Sequence, residues 1–326
     1  MKALIFAEPK SLMVVDQPMP SITANEVMIR SRRVGICHSD YELLAGQYII
    51  PISYPVTPGH EWVGEVVEVG ANVTGLAKGD RVVGECVIKT PERIHHFGFS
   101  MNGANREFFV ARPEWLHKLP DGVDDAKAAL IEPFTCGYYA VMRNGGTNAA
   151  ETVVISGGGT IGLVSAAAAI GMGARVIVVD PVPLRREIAL RLGADGVIDP
   201  AAGDAVEAVA EMTKGGADLV VEAAGHAASL ANVFDYARPE GRVSMVGINI
   251  GQKFPVELGK IQIKDLTVRG CIGSPGVWPA AIRFLERTGI DLSPIQTHSF
   301  ALKDAAAAYE LGKKADQAVK VTLEIS

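Results

Sequence analysis

Two short runs in this 326-residue chain carry residue types whose spacing suggests chemistry. The first, Gly157-Gly158-Gly159-Thr160-Ile161-Gly162, matches G-x-G-x-x-G. In a chain with 35 glycines the pattern gains meaning only from context. Here it lies between an apolar run ending at Ser156 and a helical pattern beginning near Ile161, the strand–turn–helix setting of a dinucleotide site. Gly157 permits the tight turn, Gly159 lets the backbone approach a pyrophosphate, and Gly162 lets helix and sheet pack closely. The free N–H groups and positive end of that helix then face the phosphates. Asp180, 18 residues beyond Gly162, ends the next strand-like run. An acid there accepts from ribose hydroxyls and repels a 2′-phosphate, which favours NAD over NADP. Arg185 and Arg186 lie close enough to favour a phosphate, or else form a solvated helix face; Arg185 is kept as a cofactor candidate. The second run is Cys37-His38-Ser39-Asp40, with Gly59-His60-Glu61 beginning 22 residues after the cysteine. Thiolate and imidazole are good zinc donors, yet a lone cysteine is more often a small core residue. The spacing alone does not demand a metal.

Two textures position these residues. From Met1 to about Lys118, short β-branched runs are punctuated by Gly, Pro and Asp, as in Val63-Gly-Glu-Val-Val-Glu-Val69 before Gly79-Asp-Arg-Val-Val-Gly84. This predicts a mostly antiparallel barrel-like or sandwich-like unit. A helical stretch over Pro120 to Asn144 follows. From Glu151, apolar strands at Thr152–Ser156, Arg175–Asp180, Val197–Asp199, Asp218–Ala223 and Gly241–Gly247 alternate with helices of about ten residues. That pattern predicts parallel βαβ units buried on both faces. A last helix near Trp278 to Arg287 precedes an alternating strand, Val319 to Ile325, better suited to an antiparallel sheet. The C-terminus is therefore expected to return to the first domain.

Composition excludes several classes. Hydrophobic residues at 48% and charged residues at 21% suit a soluble globular protein. A net charge of -6 with no basic block argues against nucleic-acid binding. The near-apolar stretch Ile161 to Ala174 is too short for a bilayer span. The first residues lack the apolar core of a secretory signal. Four scattered cysteines form no disulfide framework, so a reduced, cytoplasmic protein is expected.

Pro58-Gly59-His60-Glu61, Val63-Gly64, Gly70 and Gly79-Asp80-Arg81-Val82, with the downstream glycine motif, resemble the zinc-dependent medium-chain dehydrogenases. Ile131-Glu132-Pro133 resembles the sorbitol or polyol dehydrogenase branch of that family. The resemblance implies a GroES-like, mostly antiparallel β catalytic domain over residues 1–135 and 273–326. It implies a doubly wound, parallel-sheet Rossmann domain over 136–272. It also implies one catalytic zinc held by Cys37, His60 and a third ligand. Glu132, directly or through a zinc-bound water, is preferred to Cys136 for that role, and Glu61 is a direct ligand or a neighbour of the ligands. Asp40 is the carboxylate that would orient His60. Ser39 matches the hydroxyl that takes the alcohol proton, and it also suits an N-cap for a helix starting near Tyr41. Glu42 stands where many relatives end the proton relay on histidine, which leaves the relay's exit open. His38, with Val246 and Ile248 at the end of the Gly241–Gly247 strand, joins Thr160 and Ile161 as cofactor contacts.

The implied reaction is reversible oxidation of a secondary hydroxyl of a polyol or sugar alcohol to a ketone, with hydride passing to NAD. Butanediol or threonine is the alternative substrate, since Leu43 stands where sorbitol dehydrogenases use a tyrosine. A metal-free quinone or enone reductase and a non-catalytic nucleotide sensor are the other readings; the set Cys37, His60 and Glu132 argues against the first, and the intact motifs argue against the second. Relatives carry four cysteines in a structural-zinc lobe; with Cys86 alone there, no structural zinc is expected, the lobe being lost or outside the given sequence. His95-His96 point apart and are read as loop or cleft residues. His117, His226 and His298 are read as structural. A homodimer or homotetramer is expected from the resemblance alone, with a small hydroxylated substrate and neither nucleic acid nor membrane as partner.

Overall fold

The computed structural model describes residues 1–47, 52–248 and 251–325. The chain divides into two compact units, residues 1–132 with 296–326, and residues 133–295. The helix Trp278–Thr288 therefore lies with the nucleotide unit, although the family resemblance implied a catalytic domain that takes in 273–326. The reason is packing: Phe284 stacks on Phe134 at 6.1 Å and meets Tyr138 at 5.3 Å. A side chain at Gly171 would also collide with Phe284 and Ile290.

In the first unit a seven-stranded sheet runs in the order Gln296–Ala301, Lys320–Glu324, Val27–Gly35, Glu61–Val69, Arg81–Gly84, Leu116–Lys118, and Phe108–Ala111 adds to Val27–Gly35. The pairings are antiparallel except that between the two C-terminal strands. Lys320–Glu324 pairs antiparallel with Val27–Gly35, so the C-terminal strand does return to this unit. Phe6, Ile29, Trp62, Phe97, Phe109 and Leu323 form the centre of its core. This sheet brings Gly35 opposite Glu61 in register. Cys37 and His60 follow from chain geometry, one just after the first strand and the other just before the second.

The second unit is built on a six-stranded, wholly parallel sheet. Its order is Gly196–Ile198, Arg175–Val179, Thr152–Ser156, Ala217–Glu222, Ala237–Met245, Thr267–Gly270. The strand order reverses direction at Thr152–Ser156, the switch point at which a doubly wound sheet opens a ligand crevice. The helix Thr160–Gly171 buries every residue from Gly162 to Ala169, and its alanines allow close approach to the sheet.

Two local expectations are corrected. The stretch from Pro120 to Asn144 holds two helices, Asp125–Ala128 and Ile131–Arg143. Asp124 caps the first by accepting from the Lys127 N–H, which sets an end the apolar pattern does not mark. His95 and His96 lie on a strand, Ile94–His96, paired with Val87–Lys89. That hairpin closes through the Phe97 N–H donating to the Cys86 carbonyl at 2.8 Å.

Candidate active site

The helix His38–Ala45 begins at Cys37, whose extended backbone makes it the N-cap. Ser39 is therefore inside the first turn and not the cap, a correction to the sequence reading. Asp40, one turn in, accepts from the Cys37 N–H through Oδ2 at 2.9 Å. Its other oxygen lies 3.8 Å from His60 Nδ1, longer than a hydrogen bond, and neither atom has another partner among the described residues. Asp40 thus ties the Cys37 turn down and faces the imidazole. Phe99 packs on the His60 ring with centroids 5.0 Å apart. Gly59, at φ +98°, makes the turn that delivers His60 to the start of its strand.

The sulfur of Cys37, a ring nitrogen of His60 and a carboxylate oxygen of Glu61 lie within 4.8 Å of one another. Glu61 reaches this position because Gly35, paired with it across the sheet, has no side chain; a Cβ there would sit 2.3 Å from Glu61 Oε2. Lys320 donates to Glu61 Oε2 at 2.5 Å and to the Ile36 carbonyl at 2.9 Å, with both charged residues almost wholly buried. Sequence reasoning missed Lys320. In the alternation Val319-Lys-Val-Thr-Leu-Glu-Ile325 it stands in the polar phase with Thr322 and Glu324, so the chain carries no local signal of its burial.

Glu132 is not one of that trio, but its carboxyl faces the same charges. Burial drives its pKa up to about 7; His60 and Lys320 oppose the rise and Glu61 and Asp40 add to it. His60 is lowered by burial but raised more by a hydrogen bond with Cys37 and by the Asp40, Cys37 and Glu132 charges, to about 10. A thiol, an imidazole and buried carboxylates, with His60 Nδ1 and Asp40 Oδ1 unsatisfied, form a donor set suited to zinc. Cys136 lies on the same helix as Glu132, a turn further on.

In the second unit Gly157 has φ +103°, and a Cβ at Gly162 would stand 1.7 Å from the Gly157 carbonyl oxygen. A Cβ at Gly159 would meet no atom within 4 Å, which leaves open space over the turn. Thr160 and Ile161 open the helix there. Asp180 Oδ2 accepts from the Gly158 N–H at 2.7 Å and Oδ1 from the Val182 N–H at 2.8 Å. Arg185 lies 3.4 Å from Asp180, and Arg186 donates to the Asp180 carbonyl and pairs with Asp199 at 2.9 Å. Neither arginine is a merely solvated face. Val246 donates its N–H to the Glu222 carbonyl, and Ile248 is 44% exposed. His38 is exposed at the start of its helix.

His117 lies 3.0 Å from Glu85, and His226 is the N-cap of Ala227–Tyr236. No helix among the described residues is long and apolar enough to cross a membrane.

Comparison with known proteins places this arrangement. Residues 23–121 match the alcohol dehydrogenase GroES-like domain, and residues 160–287 match the zinc-binding dehydrogenase family. A sorbitol dehydrogenase from Halalkalibacterium halodurans is 32% identical over 99% of both chains. The 2R,3R-butanediol dehydrogenase structure from Bacillus subtilis superposes with a TM-score of 0.92 at 29% identity, covering 100% of this chain and 99% of that one. A zinc-binding dehydrogenase structure from Sinorhizobium meliloti 1021, bound to NADP, gives 0.93 at 29% identity over 99% and 98%. The chain belongs to the zinc-binding alcohol dehydrogenases, with a GroES-like domain and a Rossmann domain. It is an oxidoreductase acting on alcohols, and zinc and a nicotinamide nucleotide are its cofactors.

Proposed function

We propose that this enzyme uses NAD to oxidise a secondary hydroxyl of a polyol or sugar alcohol to a ketone. The convergence of Cys37, His60 and Glu61 within 4.8 Å carries the reading. These three, with Glu132 facing them, would hold the zinc. Bound there, zinc supplies a Lewis acid for the substrate hydroxyl, and the nicotinamide supplies the hydride acceptor. The chain's own residues do the rest. Asp40 fixes the turn that presents Cys37 and Ser39, and Ser39 is buried beside it, where its hydroxyl takes the proton released from the alcohol. Lys320 balances the Glu61 charge, so the site holds several carboxylates without expelling them. Glu132, its carboxyl pKa raised by burial among these carboxylates, faces the same site.

The acidic group at the end of the second parallel strand supports NAD over NADP, because Asp180 lies at the glycine turn where the adenosine ribose would rest. A buried site rich in carboxylates suits a hydroxylated substrate, and the sorbitol dehydrogenase similarity favours a polyol. Butanediol is the second reading, favoured by the structural match to the butanediol dehydrogenase. We further read the protein as cytoplasmic, in keeping with its four free cysteines. A homodimer or homotetramer is supported by the edge strand Thr267–Gly270 and by exposed Ile263 and Ile272 on either side of it.

The test is a zinc measurement together with a panel of polyols, butanediol and threonine scored by NADH absorbance. About one zinc per chain and turnover of a polyol are expected. Cys37→Ala should abolish turnover and leave nucleotide binding intact. Full activity in zinc-free protein, or retained turnover in Cys37→Ala, defeats the assignment.

A further inference from the structure

The parallel sheet ends in a buried carboxylate that the reaction described above does not use. Glu222 is the last residue of Ala217–Glu222, aligned with Ser156 on the neighbouring strand, and is 0% exposed. Its Oε1 accepts three hydrogen bonds, from the Ala224 N–H at 3.1 Å, the Gly225 N–H at 2.9 Å and the Ser229 hydroxyl at 2.7 Å. Ser229 in turn meets the Ser156 hydroxyl at 2.7 Å, directly before the glycine turn. The Glu222 main-chain carbonyl accepts from the N–H groups of Val246 and Gly247 at 2.8 and 2.9 Å. One residue therefore pins the turns that follow two adjacent strands and reaches the end of a third through Ser229.

Oε2 is different. It is buried and has no hydrogen-bond partner among the described residues. It points at Gly247, where an added Cβ would lie 2.5 Å from it. Among the described residues no lysine, arginine or histidine forms an ion pair with Glu222. All three of these donors meet Oε1 and none of them Oε2, so the hydrogen bonding of the carboxylate is one-sided. The charge on the group is thus organised by dipoles on one side and uncompensated on the other.

Its place in the fold gives that charge a use. Asp180 and the glycine turn belong to the half of the sheet formed by Thr152–Ser156, Arg175–Val179 and Gly196–Ile198. A dinucleotide lying across the switch point with its adenosine on that half must put its nicotinamide over the other half. That other half starts at Glu222. The oxidised nicotinamide ring carries a positive charge and the reduced ring carries none. We propose that Glu222 is an electrostatic positioning residue that favours the oxidised over the reduced nucleotide. The inference rests on the nicotinamide-nucleotide reading of the second unit.

Over a separation of about 10 Å at an effective dielectric of about 20, one charge alters affinity on the order of tenfold. The experiment measures dissociation constants of NAD and NADH for the zinc-loaded protein and for Glu222→Gln and Ser229→Ala, by calorimetry and by NADH fluorescence. Glutamine retains an oxygen for the three donors, removes the charge and puts an amide NH2 in place of Oε2. Expected for Glu222→Gln is about tenfold weaker NAD binding with NADH binding changed by no more than about twofold. Ser229→Ala, which disturbs the same turn but keeps the carboxylate, should change both nucleotides equally or neither. Equal weakening of both by Glu222→Gln, or no change in either, overturns the electrostatic role. A Glu222→Gln protein with a collapsed melting curve is replaced by Glu222→Asp, which should keep the wild-type ratio of the two constants; a shifted ratio counts against the proposal. Failure of the parent protein to bind either nucleotide would instead refute the nucleotide reading itself.

Discussion

Replacing Lys320 with methionine isolates the energetics of the buried charge cluster. Lys320 and Glu61 are 2% and 1% exposed, and their charged atoms are 2.5 Å apart. Lys320 also holds the Ile36 carbonyl, one residue before Cys37. Methionine keeps most of the apolar stem and deletes both donated hydrogen bonds and the positive charge. Glu61 is then left in a dry pocket beside Asp40 and Glu132, whose charges repel it. Removing one partner of a buried ion pair costs about 3–5 kcal/mol. Against a total stability of about 5–15 kcal/mol, that is a large fraction. The melting midpoint of the first unit should fall by roughly 10 °C. The assay is thermal and urea unfolding of chelator-treated protein, because a metal bound at Glu61 would replace the missing cation. Glu61→Gln added to Lys320→Met should recover most of the loss, since no unpaired charge then remains. A metal-free Lys320→Met protein within about 0.5 kcal/mol of its parent would refute the reasoning. So would a double variant no more stable than the single one.

Asp125 joins Arg32 at 2.6 Å and Arg81 at 2.5 Å. Burial raises its carboxyl, but the two arginine hydrogen bonds win and hold it below the ordinary value. A depressed folded pKa gives stability that is complete above the unfolded value and is lost as pH falls through the folded one. Asp125→Asn should therefore cost about 1 kcal/mol at neutral pH, with the parent and variant urea curves converging in acid. Gly162→Ala must push the Gly157 carbonyl aside, so NADH binding should weaken more than about tenfold while zinc content is unchanged, both read on one sample. Asp180→Gly frees Arg185 and removes the ribose acceptor. The KM for NAD should rise, and the NADP-to-NAD ratio of kcat/KM should increase about tenfold; an unchanged ratio refutes the ribose role.

Five of the six parallel strands of the second unit were legible in the chain; the helix Gly259–Ile263 and the edge strand Thr267–Gly270 were not. Strands buried on both faces give continuous apolar runs, and helices between them give a second period, so Thr152–Ser156 and Arg175–Val179 could be read almost residue by residue. The glycine motif was equally legible, because the need for Gly157 and Gly162 is local: one positive φ and one close backbone approach. The return of Lys320–Glu324 to the first sheet followed from its alternation. Cys37 and His60 were singled out by residue type and family resemblance.

Other features depend on contacts between residues far apart in the chain. Lys320 reaches Glu61 across 259 positions, and no local pattern distinguishes it from a solvated lysine. Glu222 reads as an ordinary strand-terminal acid until its three donors and bare oxygen are seen. The helix Trp278–Thr288 joined the nucleotide unit because of where Phe284 packs, not because of its own amphipathic pattern. Local periodicity and backbone demand are written into neighbouring residues, so the sequence determined the elements and the nucleotide turn. Charge compensation in a dry interior depends on distances that only the folded chain sets, and so the tertiary structure alone decided which buried charges meet.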